Sequence, residues 1–497
     1  MIGKSEKNHW SESTAFWTMA AAVVVAVYFF GLTLPLIGPD EPRYAQVARE
    51  MFERRDWITP TLGGYNWFEK PALLYWLEIA SYNVFGVNEF AARFGSAIFG
   101  LGTVASLWIL GRKSATESFR NGFGNWLVLI AASSIGIIVF ARGASFDIVL
   151  TFPMTVALVS YYLFDRRSSS GIAPLFFFYF FIGVALLAKG LVGIVFPFAI
   201  VGFYHVLSWK LPSKTLLVSL FWGTLVSLVV ASLWYLPMYM THGWTFIDEF
   251  FIQHHFQRYT SNKYFHPQPF YFFLWVLPLM TIPWLPFFLG GVWSSVKGLF
   301  EEKTTDTDRS FVMFSFAWLL VPLVFFTFSG SKLPGYILPS LPPALIIAAL
   351  CVSKFVGNSV GRGLVIKGLA AATLAVVVIL LLTVVPKFAV DDSVKELIAE
   401  STRRGYGDAE VLSLHTISHN AEFYATGRLL RTTDGKQQRL SGAYEVQQEI
   451  VRRNGAAVLV IVPLEYIKQL TESTTLSGEV VAQNAEIAVV ATTLRQP

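Results

Sequence analysis

Cysteine is all but missing from this chain: Cys351 is alone among 497 residues. That excludes an intramolecular disulfide and a cysteine-cluster metal site, and leaves the redox compartment unread. Charge is scarce too. Asp, Glu, Lys and Arg make up 14% of the sequence, against about 25% in an ordinary soluble domain. No Walker loop, G-x-G-x-x-G or HExxH occurs, so nucleotide hydrolysis and zinc proteolysis have no support. Repeats and low-complexity tracts are absent as well.

What fills the chain is apolar: 54% of residues are hydrophobic and 16% aromatic. A membrane-crossing helix needs about 20 apolar residues. Eleven segments qualify: 14–37, 88–111, 122–141, 145–164, 173–188, 191–207, 215–236, 269–293, 311–328, 336–353 and 364–386. The first is too long for a signal-peptide core of about 7–15 residues, and no small-residue cleavage site follows it. It reads as a retained span. The fifth and sixth are short and flank Ala188-Lys189-Gly190, so they form either a tight hairpin or one broken unit.

The loops give an orientation. With Lys4 and Lys7 inside, the inner loops hold Arg112, Lys113 and Arg120; Arg166 and Arg167; Lys210 and Lys214; Lys297, Lys303 and Arg309; Lys354, Arg362 and Lys367. Every alternate loop is basic, as the positive-inside rule requires, and the C-terminus falls outside. The net charge of +5 fits these loops, and no nucleic-acid partner is expected. Outer cations break the rule at the stretch 38–71, Arg142, Lys189, Arg258 with Lys263, and Lys332. All lie on one face, where an anionic ligand is the simplest reason to keep them.

After Pro386 the composition changes. Residues 387–497 read as a soluble α/β domain, with strands at 409–414, 456–462 and 486–491. Helices fit 394–403, 444–453 and 464–470, and no catalytic motif stands out. The expected fold is an α-helical polytopic membrane domain, 1–386, followed by this smaller domain. Outer loops at 38–87, 237–268 and 329–336 are the candidates for chemistry.

The stretch 38–71 concentrates charge: Asp40 and Glu41, then Arg43, Arg49, Arg54 and Arg55, then Glu69 and Lys70. Pro39 or Pro42 suits a first helical turn, and acids there with arginines beyond complement the helix dipole. That account is purely structural. Asp40, Arg43 and Tyr44, at i, i+3 and i+4, would also share one face, and their place on the cation-rich side favours use of Asp40 and, less strongly, Glu41. Lys70 precedes 72–85, whose aromatics suggest an interfacial helix. It is either a snorkelling lysine or a point charge for a phosphate.

The turn 141–147 either caps two helices through Arg142 and Asp147 or sets Asp147 on the active face as a second acid. Lys189 is a snorkeller or a ligand. Segment 253–259 carries His254, His255 and Arg258. The histidines with Glu69 make a candidate divalent-metal set, but the spacing is not diagnostic, and solvated interfacial histidines are the plainer reading. Arg258 is the stronger candidate, because a guanidinium grips phosphate through two bonds. The loop 329–336 is a turn in any reading, and it adds Lys332 and Tyr336.

Taken in order, GPDEPRYA, FEKPALLYW, ARGASFD, LLAKGLVG, HHFQRY and SKLPGYILP resemble the aminoarabinose transferases. These are GT-C glycosyltransferases that use a polyprenyl-phosphate sugar donor and are more distantly similar to protein O-mannosyltransferases. The resemblance covers roughly residues 30–345. It implies an acidic first-loop motif at Asp40-Glu41 with Arg43, a second acid at Asp147, and a carrier-phosphate site at Lys70, Arg258 and Tyr336. It also implies a divalent metal on Glu69 and His254 or His255, although no cofactor is required by the chemistry. Relatives of this kind have thirteen spans, against the eleven counted, and the C-terminal domain has no quotable match.

The resemblance implies a bacterial inner-membrane enzyme acting at its periplasmic face on a lipid, lipid A-type, or other envelope acceptor. A flippase for the lipid-linked sugar is the rival from another class. It should carry charge near the midplane of broken helices, whereas here the charge collects at one surface. A non-catalytic assembly protein would leave the loop acids unexplained.

Overall fold

A computed structural model describes residues 3–114, 122–166, 171–257, 268–300 and 305–495, and their side chains from residue 14 onward except at 255 and 256. Arg120, Arg167, Arg258, Lys263 and Lys303 lie outside the described residues, as does the His255 side chain. Among the described residues, six helices are long and apolar enough to cross a membrane: Glu89–Ser114, Phe146–Arg166, Lys214–His254, Asp306–Thr327, Pro334–Val356 and Val360–Asp392.

Two more segments are bent pairs. Phe123–Ala132 and Ile135–Ala141 meet at 54°, and Phe272–Met280 and Leu285–Leu299 at 113°. Three shorter apolar helices, Thr14–Phe29, Ala173–Lys189 and Val192–Ser208, complete a set that matches the eleven expected segments one for one. The fifth and sixth segments are two helices joined through Gly190, which decides for the hairpin.

The chain divides into two compact units. One comprises Met1–Phe30, Phe68–Leu74 and Arg93–Val378; the other comprises Gly31–Trp67, Tyr75–Ala92 and Ile379–Pro497. The second unit thus gathers most of the first outer loop together with the C-terminal segment.

Its five-stranded sheet runs in the order Arg439–Leu440, Val411–Leu414, Val458–Pro463, Ile487–Leu494, Leu476–Gln483. The first three strands are parallel, and the last two pair antiparallel. The apolar runs have a direct cause, since both faces are covered. Val411, Leu459, Ile461 and Val489 pack with Leu397 and Ile398 on one side. Leu412, Val458, Val460, Val462 and Val490 pack with Val446 and Ile450 on the other. Helices Lys395–Arg403 and Ala443–Arg452 fall where expected, while 464–470 is a 3-10 turn followed by the short helix Lys468–Thr471. Leu476–Gln483 was not anticipated. It sits at the sheet edge with alternating exposure and includes Ser477, Gly478 and Glu479, so it lacks an apolar run.

Candidate active site

In the second unit, helix Asp40–Arg54 starts at the acids, with Asp40 and Glu41 in its first turn and Arg54 in its last. Glu41 Oε2 accepts from Ile37 N–H at 3.1 Å, capping the turn with a side chain where Pro39 cannot. Asp40 Oδ1 stands 2.5 Å from Arg43 Nη2, and its side chain remains 48% exposed. Arg43 Nε also donates to the Pro39 carbonyl at 2.7 Å, and the guanidinium lies 5.8 Å from the centre of the Trp67 ring. Asp40 and Arg43 thus share a face as expected. Tyr44, only 6% exposed, is turned into the packing instead.

The far end of this helix is structural. Glu50 accepts from Thr61 Oγ1 at 2.6 Å and from the Gly63 and Gly64 amides at 2.6 and 3.1 Å. Arg49 pairs with Glu53 at 2.7 Å and donates to Thr426 Oγ1 at 2.7 Å.

Two further titratable groups of this unit bear on the acids, and neither was visible in the sequence. Glu78, on the outer-loop helix Leu73–Phe85, is 0% exposed, and neither carboxylate oxygen has a hydrogen-bond partner. Burial first, then the Glu41 charge, pushes its pKa well above the ordinary carboxylate range. Tyr82, one turn on, donates to the Ala45 carbonyl at 3.1 Å. Glu41 lies one turn before Ala45 on its own helix, near enough for its charge to add to the Glu78 shift. The second group is His419, in the turn before the short helix Ala421–Tyr424. Burial, then the Arg43 charge, holds its imidazole below the usual range, with Glu422, Asp40 and Asp392 opposing.

In the first unit, the ends of two helices, Phe146–Arg166 and Ala173–Lys189, meet the 3-10 helix Pro334–Ser340. The Lys189 ammonium is ion-paired with Asp147 and stands 4.7 Å from the centre of the Tyr336 ring. Gly335 lies against the same carboxylate: a Cβ there would fall 1.9 Å from Asp147 Oδ2. A glycine is what lets that loop approach. Lys70 Nζ is 2.9 Å from Glu69 Oε1, with both side chains mostly buried. Phe68 packs on His242 and Phe246, with ring centroids 4.9 and 5.8 Å away.

Arg142 and Lys332, two more of the expected ligand cations, donate to backbone carbonyls. Arg142 donates to the carbonyls of Val27 and Phe30, the end of helix Gly3–Phe29, and burial first, then Arg93, lowers its pKa to about 10. Lys332, 7% exposed, donates to the Ser329 carbonyl at 2.7 Å. These cations satisfy the last carbonyls of chain segments that have no helical partner there.

The metal set is described only in part, since the His255 side chain lies outside the described residues. Glu69 Oε1 is taken by Lys70, His254 lies in the π-helical stretch Asp248–Gln257, and among the described residues no group of three or more His, Cys, Asp or Glu is placed to hold a metal ion.

Comparison with known proteins extends the picture. Residues 15–247 match the family described as dolichyl-phosphate-mannose-protein mannosyltransferase. The undecaprenyl phosphate-alpha-4-amino-4-deoxy-L-arabinose arabinosyl transferase of Serratia proteamaculans is 32% identical over 350 residues, 66% of this chain and 58% of that protein. Its Shewanella sediminis counterpart is 30% identical over 68% of this chain and 61% of its own length. The chain thus spans less than two thirds of the curated relatives it matches. The crystal structure of ArnT from Cupriavidus metallidurans, in the apo state, superposes with a TM-score of 0.78 at 21% identity, covering 97% of this chain and 98% of that one. The form bound to undecaprenyl phosphate gives 0.76, covering 96% and 98%. The resemblance read from the motifs is borne out, and the fold is ArnT-like throughout the described chain.

Proposed function

We infer that this chain is a polyprenyl-phosphate-dependent glycosyltransferase of the aminoarabinose transferase kind. It moves a sugar from a lipid carrier to a lipid A-type or other envelope acceptor at the outer face of the bacterial inner membrane, with the N-terminus cytoplasmic and the C-terminal domain periplasmic. The observation that carries this reading is the meeting of Asp147, Lys189 and Tyr336. Three segments distant in sequence supply an acid, a cation and a phenol to one place, alongside similarity to relatives named as undecaprenyl phosphate-aminoarabinose arabinosyl transferases.

The chemistry follows from charge. The bond between the anomeric carbon and the carrier phosphate oxygen breaks, and its electron pair stays on the phosphate. A new bond forms from acceptor oxygen to the anomeric carbon. Preplaced cations in a partly dry site stabilise the phosphate as it gains charge. Lys70 and Lys189 suit this role as mostly buried ammonium groups, at 12% and 16% side-chain exposure. Arg258 and Tyr336 are assigned to the same carrier phosphate by sequence position.

Asp40 keeps 48% of its side chain exposed. With a hydroxyl acceptor it takes the proton as general base. With a lipid phosphate, already ionised, no base is needed, and Asp40 orients the sugar or neutralises an amine on it. Glu69 is assigned to Lys70 as counter-ion. Arg142 and Lys332 are assigned to holding backbone. The mannosyltransferase family match over 15–247 supports a protein hydroxyl as the second acceptor class.

The test is mass spectrometry of envelope lipids and glycoproteins from cells with and without the gene, followed by transfer assays on the purified protein with a polyprenyl-phosphate sugar. Loss of one sugar substituent and accumulation of its carrier-linked donor is the expected result. Unchanged envelope chemistry, or donor trapped on the cytoplasmic face, would favour a different function.

A further inference from the structure

Three consecutive backbone N–H groups precede the acid pair, and each ends on a side chain. Leu36 N–H donates to the Tyr424 hydroxyl oxygen at 2.9 Å, Ile37 N–H to Glu41, and Gly38 N–H to Asp392 Oδ2 at 2.9 Å. Two of these acceptors come from the C-terminal part of the chain, more than 350 residues away, and all the groups belong to one compact unit.

The acceptors are themselves held. The Tyr424 hydroxyl donates to Glu89 Oε1 at 3.0 Å, and Lys395 Nζ bridges the same oxygen at 2.7 Å. The backbone of Asp392 receives the amide of the buried Asn420 at 2.7 Å, which follows His419. None of these bonds is part of a helix ladder or a sheet ladder. They fasten a turn that Gly38, at φ +66°, opens in the left-handed region that glycine tolerates.

A carboxylate that must meet a reacting sugar has to stand within about 0.5 Å of its working position. A loop fixed at residues 36 and 38 meets that demand at residue 40, which begins a helix. A loop released at either point does not. We propose that Asp392 and Tyr424 are positioning residues for Asp40: through the backbone of Leu36 and Gly38, the C-terminal domain sets where the Asp40 carboxylate stands during transfer. This rests on Asp40 acting in the reaction.

The full-length purified protein, assayed with saturating polyprenyl-phosphate sugar, tests it. Asp392→Ala should lower kcat about 10- to 100-fold, the scale of a 1 Å misplacement, while donor KM and Tm stay near wild type. Asp392→Asn, which keeps an oxygen for Gly38 N–H, should recover most of the rate. In an Asp40→Asn background, Asp392→Ala should change the residual rate little, because residues acting as a unit are not additive. A merely structural role would instead cut both backgrounds by the same factor and lower Tm. If Asp392→Ala fails to fold, Tyr424→Phe, which removes one hydroxyl, carries the same comparison.

Equal losses in the two backgrounds, or wild-type kcat in the folded variant while Asp40→Asn is severely impaired, overturn the proposal alone. Wild-type transfer by Asp40→Asn overturns the reading of Asp40, and this proposal with it.

Discussion

Gly335→Ala puts one methyl group where the structure has no room. The added Cβ would lie 1.9 Å from Asp147 Oδ2, 2.6 Å from its Cγ and 2.8 Å from Phe140 Cε1. Ordinary contact is about 3.5 Å, so the carboxylate or the loop has to move by roughly 1.5 Å, about half a hydrogen-bond length. The Asp147–Lys189 pair cannot survive that shift intact, and a charge-assisted bond of this kind is worth about 1.5–3 kcal/mol. Expressed in the transition state, this is a loss of roughly 10- to 150-fold in transfer rate.

Thermal unfolding in detergent should fall too, by less than the about 3–5 kcal/mol of a fully buried broken pair, since Asp147 and Lys189 keep 20% and 16% of their side-chain exposure. Asp147→Asn should show a comparable rate loss without the steric strain. The assay is sugar transfer from a polyprenyl-phosphate donor by the purified variants, with kcat and donor KM separated. Wild-type kcat and stability in Gly335→Ala would refute both the tight approach at this carboxylate and the assignment of the cluster to the reaction.

Other expectations are more direct. Reporter fusions after Arg120, Arg167 and Lys303 should read cytoplasmic and those after Gly64, Lys263 and Pro497 external; an external signal at Arg167 would break the topology. Lys70→Ala should cut transfer by about 10-fold or more, from a phosphate contact of about 1.5–3 kcal/mol, with the protein still inserted; unchanged turnover would remove Lys70 from the carrier site. The raised pKa of Glu78 means that the folded protein holds a proton the unfolded chain releases. The stabilisation is therefore present below the ordinary carboxylate pKa and is lost as pH climbs toward the raised value. Glu78→Gln, neutral throughout, should match wild type at low pH and become the more stable of the two as pH rises, read as Tm against pH; parallel curves would show Glu78 to be ionised in the fold.

Much of the fold was legible because a bilayer imposes one simple requirement on sequence, a long apolar run, and all eleven runs correspond to helices or bent pairs. The bends themselves were not legible, since the breaks at Ser133-Ser134 and near Thr281 interrupt apolarity by only a residue or two. In the C-terminal domain the three interior strands showed as β-branched runs because both their faces are buried, while the edge strand Leu476–Gln483 did not.

The candidate site was legible where charge breaks the alternation of basic loops. Asp40 with Arg43, and Lys70, Asp147, Lys189 and Tyr336 taken singly, came from that signal; the pairing of Asp147 with Lys189 is long-range and did not. The signal could not separate a cation held for a ligand from one closing off backbone carbonyls, as Arg142 and Lys332 do, because both look alike in sequence. Nor could any local pattern reveal Glu78, whose burial depends on what packs over its helix, or the Tyr424 and Asp392 contacts to residues 36 and 38, which are purely long-range.

The central claim is that the acid at the head of helix Asp40–Arg54 takes part in moving a sugar off a lipid phosphate. Its most direct test is the transfer rate of purified Asp40→Asn at saturating donor, across pH. The substitution keeps shape and hydrogen bonding, so a helix-capping role would lose about 1 kcal/mol or less. The account predicts a loss of about 10²–10⁴-fold with normal expression and retained donor binding, deepest at low pH if the acceptor is a hydroxyl and independent of pH if it is a phosphate. Transfer at the wild-type rate would contradict it.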